Sequence, residues 1–259
     1  MRTIALCFSP TGGTRRAAEL LAGGIADGFE WIDLSLTLRG RAMPSLTEED
    51  VALIAAPSFG GRMPEPVAAR LRDVQGGGAR AVLLSVYGNR SDDDTLFDLR
   101  DAAVSSGFTP VAAVRAIAEH SIVRQVASGR PDARDEDVLR GFGRQIADLL
   151  QNVPDAKLDL PQKDFLRPYG GLPLHPKAGK ACTGCGKCAS LCPVGAIPRD
   201  DPSLTDERAC ITCMRCVRIC PVHARRLPTL LLTLAGRKLK KRCAERREPE
   251  LILGGHTAK

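Results

Sequence analysis

Cys182-Thr183-Gly184-Cys185-Gly186-Lys187-Cys188-Ala189-Ser190-Leu191-Cys192-Pro193 is answered 28 residues later by Cys210-Ile211-Thr212-Cys213-Met214-Arg215-Cys216-Val217-Arg218-Ile219-Cys220-Pro221. Each cysteine of the first run recurs in the second, so the region holds two copies of one small unit related by an approximate two-fold axis. Two-residue gaps let a tight loop aim three thiolates at three irons of one cuboidal cluster. The fourth cysteine, on a segment already leaving and with proline fixing its exit, reaches the other cluster. This spacing assigns Cys182, Cys185, Cys188 and Cys220 to cluster 1, and Cys210, Cys213, Cys216 and Cys192 to cluster 2. Zinc is the competing metal, but a structural zinc site takes four ligands with a longer gap between its pairs. A disulfide framework suits a secreted chain, and the N-terminus MRTIALCFSP shows no signal peptide, so a cytoplasmic protein with reduced thiols is expected. Residues 179–224, poor in long apolar runs, would be held by metal rather than by a hydrophobic core.

Working outward from that unit, the 259-residue chain as a whole has ordinary globular composition, 44% hydrophobic and 26% charged, which excludes a disordered or fibrous protein. From Arg225 to the end there are ten Lys or Arg against three acids, which accounts for the whole net charge of +7. The basic C-terminal tail, 225–259, reads as a helix followed by a short strand, Glu250–Leu253. Its segment RKLKKRCAERRE fits a solvated helix packed back on the body, a docking surface for an acidic partner, or a phosphate-binding helix. No base-reading motif accompanies it, so nucleic acid is not expected. The run Leu230–Ala235 is far short of the roughly 20 residues of a membrane span, and no transmembrane segment is expected.

Residues 1–151 alternate short apolar runs with amphipathic stretches. Strands are expected at Thr3–Phe8, Val51–Ala56, Ala81–Val86 and Thr109–Ile117, the last of the series; helices at Arg15–Ile25, Leu96–Ser106 and Asp137–Leu150. Alternation of this kind predicts a doubly wound α/β domain with a parallel sheet covered on both faces. Residues 152–178, with five prolines and Gly170-Gly171, read as an extended linker.

Three loops of the α/β domain have the makings of a ligand site. Ser9-Pro10-Thr11-Gly12-Gly13-Thr14 joins the first strand to a helix, where free N–H groups and the helix dipole suit a phosphate. It is neither a Walker loop nor GxGxxG. Pro57-Ser58-Phe59-Gly60-Gly61 and Tyr87-Gly88-Asn89-Arg90 follow later strands, at the carboxyl ends where open α/β sheets bind ligands. Each sets one of the chain's ten aromatics beside glycine, as a platform for a planar ring would, although ordinary loop packing gives the same pattern. His120, with Tyr87 and Arg90, is a candidate proton donor or anchor; a satisfied structural histidine is the plainer alternative. Cys7 reads as a small buried hydrophobe and Cys243 as a free thiol.

On these motifs, residues 180–224 resemble the bacterial two-[4Fe–4S] ferredoxins, with all eight ligands matched. The three loops resemble those of flavodoxin, and that resemblance implies FMN on Ser9, Thr11–Thr14, Pro57–Gly61 and Tyr87–Asn89. The departures are Gly13 where flavodoxins commonly have Asn, Arg15 and Arg16 directly after the loop, and a basic second aromatic loop, in which Arg90 would favour a reduced, anionic flavin. Lys187, Arg199, Arg208, Arg215 and Arg218 lie among the cysteines, where such ferredoxins are usually acidic; they would raise potentials and favour acidic redox partners. The whole chain is similar to fused flavodoxin–ferredoxin proteins, which implies an electron relay between clusters and FMN. A flavin-dependent reductase of a small organic substrate, fed by its own ferredoxin domain, is the alternative. A ferredoxin module docked through an empty flavodoxin fold is a third.

Overall fold

The computed structural model describes residues 2–36, 43–161 and 174–255. Five strands, β1 (Thr3–Cys7), β2 (Glu30–Asp33), β3 (Val51–Pro57), β4 (Arg80–Tyr87) and β5 (Thr109–Ile117), alternate with helices α1 (Gly13–Ile25), α2 (Glu65–Asp73), α3 (Thr95–Ser105) and α4 (Ala133–Asn152). The strands lie in the order β2-β1-β3-β4-β5, all parallel, which is the flavodoxin-like doubly wound order. Strand periodicity divides the core. Ile4, Leu6, Ile54 and Leu83 point to one face, under Val67 and Leu71 of α2 and Leu96 and Leu99 of α3. Ala5, Cys7, Leu53 and Leu84 point to the other, under Leu20 and Leu21 of α1 and Leu139 and Ile146 of α4. Because both faces are covered, β3 is buried throughout and reads as an unbroken apolar run. Helices α1 and α4 touch backbone to backbone: a Cβ on Gly143 would stand 2.6 Å from the Gly24 Cα.

The cysteine-rich unit begins with β6 (Lys177–Ala178), runs through the short helices α5 (Lys187–Ser190) and α6 (Arg215–Ile219), and closes with β7 (Arg225–Arg226), antiparallel to β6. The 28-residue repeat extends to the backbone. Gly184, Gly186 and Gly195 have φ of 69°, 71° and 66°, and their counterparts Thr212, Met214 and His223 have 51°, 64° and 50°. Three L-residues in the left-handed region carry strain that persists only where the surroundings impose the conformation.

Thr109–Ile117 is not the last strand of the sheet. After α7 (Thr229–Arg242) the chain returns to the α/β domain as β8 (Glu250–Leu253), which pairs antiparallel with β5 as a sixth strand, Ala113 against Ile252 and Arg115 against Glu250. Sequence periodicity missed β2, an edge strand that is only half-buried, and α2, in which only Val67 and Leu71 are buried. Of the proline-rich stretch, residues 162–173 lie outside the described residues. Residues before them run along the α/β domain, with Ala156 and Leu160 buried and Leu158 N–H donating to Pro110 O at 2.9 Å. No helix among the described residues is long and apolar enough to cross a membrane.

Candidate functional site

The carboxyl ends of β1, β3, β4 and β5 open into a crevice enclosing about 820 Å3, part of it open to solvent. Its walls are Thr11, Gly13 and Thr14, then Pro57–Gly60, then Tyr87 and Gly88, and finally Ala118–Ile122 after β5. Parallel strands bring these loops, distant in sequence, to one edge. The N–H groups of Thr11, Gly12, Gly13 and Thr14 donate to nothing among the described residues, at the positive end of α1. Four open donors at a helix N-terminus fit a phosphate.

Several expected residues serve the crevice from behind. Ser9 accepts from Arg15 N–H at 2.9 Å and donates its own N–H to the Ser35 hydroxyl at 2.6 Å, which shapes the loop. Gly12 and Gly61 lie outside the lining. Arg15 and Arg16 turn away to Glu19 and Glu136. Asn89 is buried and holds the C-terminal segment: its amide donates to Cys243 O at 3.0 Å and Glu245 O at 2.8 Å, and its carbonyl accepts from Arg247 N–H at 3.0 Å. Arg90 is paired with Asp93, and its charge also reaches His120 and Cys243. Tyr87 lines the crevice, and burial raises its phenol pKa.

His120 lines the crevice too. Its Nδ1 accepts the backbone N–H groups of Ile122 and Val123 at 3.2 and 3.1 Å, which fixes the proton of the neutral ring on Nε2. Burial, then the Arg90 charge, pushes its pKa down to about 4. The ring sits so close to β4 that a Cβ on Gly88 would be 2.5 Å from His120 Cδ2. Cys7 is fully buried, as a small hydrophobe should be; Cys243 is buried against Val123 and Val126, beneath the loop that carries His120.

The last two residues of the crevice wall come from the other unit: Ile211 and Thr212, between Cys210 and Cys213. They also line a second, narrow cavity whose walls include Cys192, Cys210, Cys213 and Cys216. Two residues thus separate the crevice from a four-thiol chamber. Arg70 of α2 holds the units together, donating to Leu34 O on one side and to Pro193 O, next to Cys192, on the other. Ile211 packs against the α/β core, and Thr212 donates to Leu174 O at 2.9 Å. Burial pushes Cys213 up to about 12 and Cys216 up to about 11, with Cys192 and Cys210 raising both further. Thiols so crowded and desolvated ionise only against a strong cation, and the donor set fits iron. Of the other four cysteines only Cys185 is exposed; Cys220, like Cys192, Cys210 and Cys216, is half-buried. Cys182 and Cys188 are half-buried too, and Cys220 Sγ accepts from Ala224 N–H at 3.3 Å. Burial opposes ionisation of Cys220, but the N–H groups of Arg225, Ala224 and Val222 hold it below the usual thiol range.

Residues 177–244 match the family model of the 4Fe-4S dicluster domain. The chain joins a flavodoxin-like fold to a dicluster domain, as the cysteine repeat and the strand order imply. Solved structures similar to the α/β part include a flavodoxin from the domain Archaea, 17% identical over 59% of this chain and 100% of that one, with a TM-score of 0.41. Flavodoxin 1 from Bacillus cereus is 16% identical over 59% of this chain and 99% of that one, at 0.42. An NADH:FMN oxidoreductase in its apo form is 19% identical over 56% and 89%, at 0.41. No curated protein matches the chain. Sequence reasoning singled out the three loops that line the crevice, and the cysteines, but missed Ile211 and Thr212 as crevice residues, since nothing local distinguishes them from other inter-cysteine positions.

Proposed function

We propose that this chain is an iron–sulfur flavoprotein that relays electrons between two [4Fe–4S] clusters and FMN, coupling one-electron to two-electron carriers. The observation that carries the reading is the shared wall of Ile211 and Thr212 between the ring crevice and the chamber of Cys192, Cys210, Cys213 and Cys216. Bound there, the clusters supply single-electron transfer and the flavin the exchange of pairs. In this reading the N–H groups of Thr11–Thr14 hold the phosphate, and Phe59 and Tyr87 flank the ring. Nε2–H of His120 offers a neutral donor from the β5 side. Cys192 joins Cys210, Cys213 and Cys216 on cluster 2, and Cys182, Cys185, Cys188 and Cys220 hold cluster 1. Ile211 and Thr212 keep water from the short path between carriers, and Arg70 fixes the two units so that the path is always in place. One chain gives each redox centre a high effective concentration of the other. The exposed cations of the cysteine-rich unit, Arg208 and Arg218, suit an acidic redox protein.

Anaerobic purification tests the reading directly: one FMN and about eight irons per chain are expected. Cys192→Ser should damage the cluster whose other ligands start at Cys210 and spare the one starting at Cys182. Iron without flavin would overturn the relay, and loss of the cluster starting at Cys182 would overturn the cross-pairing. Oxidation of the dithionite-reduced protein by a small organic substrate, with turnover, would point to a reductase instead.

A further inference from the structure

The 28-residue repeat sets Ile197 opposite Arg225. Both side chains are inside, Ile197 with 4% and Arg225 with 2% of its surface exposed. One half of the dicluster unit therefore buries a cation where the other buries a hydrocarbon. From Nη1, Arg225 donates to Pro176 O at 3.3 Å and to the Thr205 hydroxyl at 2.7 Å; from Nη2, to Leu204 O at 2.7 Å and to Pro202 O. All four acceptors are neutral. Its Nε is buried and unpartnered, and no carboxylate pairs with it among the described residues.

A buried guanidinium without an anion is costly, and proteins supply the anion by an acid, a ligand or a cofactor. Here Pro176 and Thr205, which hold the guanidinium, also line the chamber of Cys192, Cys210, Cys213 and Cys216. Of the other cations in this half, Arg208 and Arg218 are exposed; Arg215 also lines the chamber, with Nε and Nη1 buried and unpartnered, but it has an acid, Asp33, 3.9 Å from Nη2, whereas Arg225 has none among the described residues.

We propose that Arg225 is the fixed countercharge of cluster 2 and makes the two clusters unequal, holding cluster 2 at the higher potential. The inference rests on the relay reading. One electron taken from an external reductant adds one negative charge to a cage that four thiolates already leave anionic. Arg225 stabilises that added charge, whereas Ile197 at the equivalent position offers nothing. Electrons entering at cluster 1, through the exposed Cys185, then run downhill to cluster 2, beside the crevice.

A potentiometric titration of the full holoprotein, followed by electron paramagnetic resonance, tests this. Two separate one-electron waves are expected, the higher one perturbed by Cys192→Ser. Arg225→Gln should weaken reduction in the higher wave at least tenfold, about 59 mV for one electron, and leave the lower wave in place at unchanged iron and flavin content. Arg225→Lys, which keeps the charge, should retain the split. Coincident waves in the unmodified protein, or equal shifts of both waves in Arg225→Gln, would overturn the proposal. If Arg225→Gln fails to hold iron, the split in the unmodified protein and in Arg225→Lys decides: two waves uphold it and one wave refutes it. Failure of the relay reading shows separately, as missing flavin or iron.

Discussion

Asp135→Asn should loosen the C-terminal third of the chain from the α/β domain. The Asp135 carboxylate, with only 1% of its side chain exposed, accepts from Arg130 Nε at 2.8 Å and Nη2 at 2.5 Å, from Arg246 Nη2 at 3.0 Å, and from Asp132 N–H at 3.0 Å. Arg246 also binds Asp132 at 2.7 Å, and Arg130 donates to Arg247 O at 2.8 Å. This network, with Asn89, is what fastens the segment between α7 and β8. Replacing the anion by an amide leaves two guanidinium groups without their buried partner, and breaking such a pair from one side costs about 3–5 kcal/mol. At an m-value on the order of 3 kcal/mol/M for urea, the unfolding midpoint should fall by between about 1 and 1.7 M. Trp31 in β2 is the chain's single tryptophan, so its fluorescence reports the unfolding of the α/β domain. The reconstituted protein should be compared at equal iron and flavin content. The double variant Asp135→Asn with Arg246→Met should be less damaged than the two single losses added together, because the residues share one network. A loss below about 1 kcal/mol, or strict additivity, would show that the network is ornamental and that β8 pairing alone anchors the segment.

Two further outcomes follow from the geometry. Gly143→Ala puts a methyl 2.4 Å from Leu21 O, forces α1 and α4 apart, and should cost about 1–3 kcal/mol in the same urea assay; an unchanged midpoint would mean that the helices are not in contact as described. His120 has a folded pKa of about 4 against about 6.5 when unfolded, so the unfolded chain binds the extra proton between those values. Its contribution to stability is present above about pH 6.5, falls as pH drops toward 4, and is level below that; His120→Gln should flatten this part of the stability curve. Nitrogen NMR should show His120 neutral at pH 6 with its proton on Nε2, and an imidazolium signal there would contradict the buried-acceptor geometry.

Much of the chemistry was legible because it is written in short-range spacing. The two-residue gaps between cysteines dictate a tight thiolate loop whatever surrounds it, and the unbroken apolar runs of β1 and β3 dictate a sheet covered on both faces. The glycine-rich turn between β1 and α1 announces its open N–H groups in the same local way. Elements with little apolar signal were not legible: β2 sits half-exposed at an edge, and α2 buries only two side chains. Asn89 shows the limit at a single residue. Its place in a ring loop pointed to the cofactor, yet its amide is committed to backbone 154 and 156 residues away.

The amino-acid order by itself determined the iron–sulfur cysteine spacing, the doubly wound sheet and the glycine-rich turn with its open N–H groups, since each depends on neighbours within a few residues. Only the tertiary structure decided that Ile211 and Thr212 close the crevice, that Arg70 ties α2 to the backbone beside Cys192, and that the C-terminal segment returns as β8. It also decided that Arg225, visible in sequence as a mismatch with Ile197, is buried without an acid. These are relations between surfaces that meet only after folding, set by shape and burial across more than a hundred residues, and no local spacing encodes them.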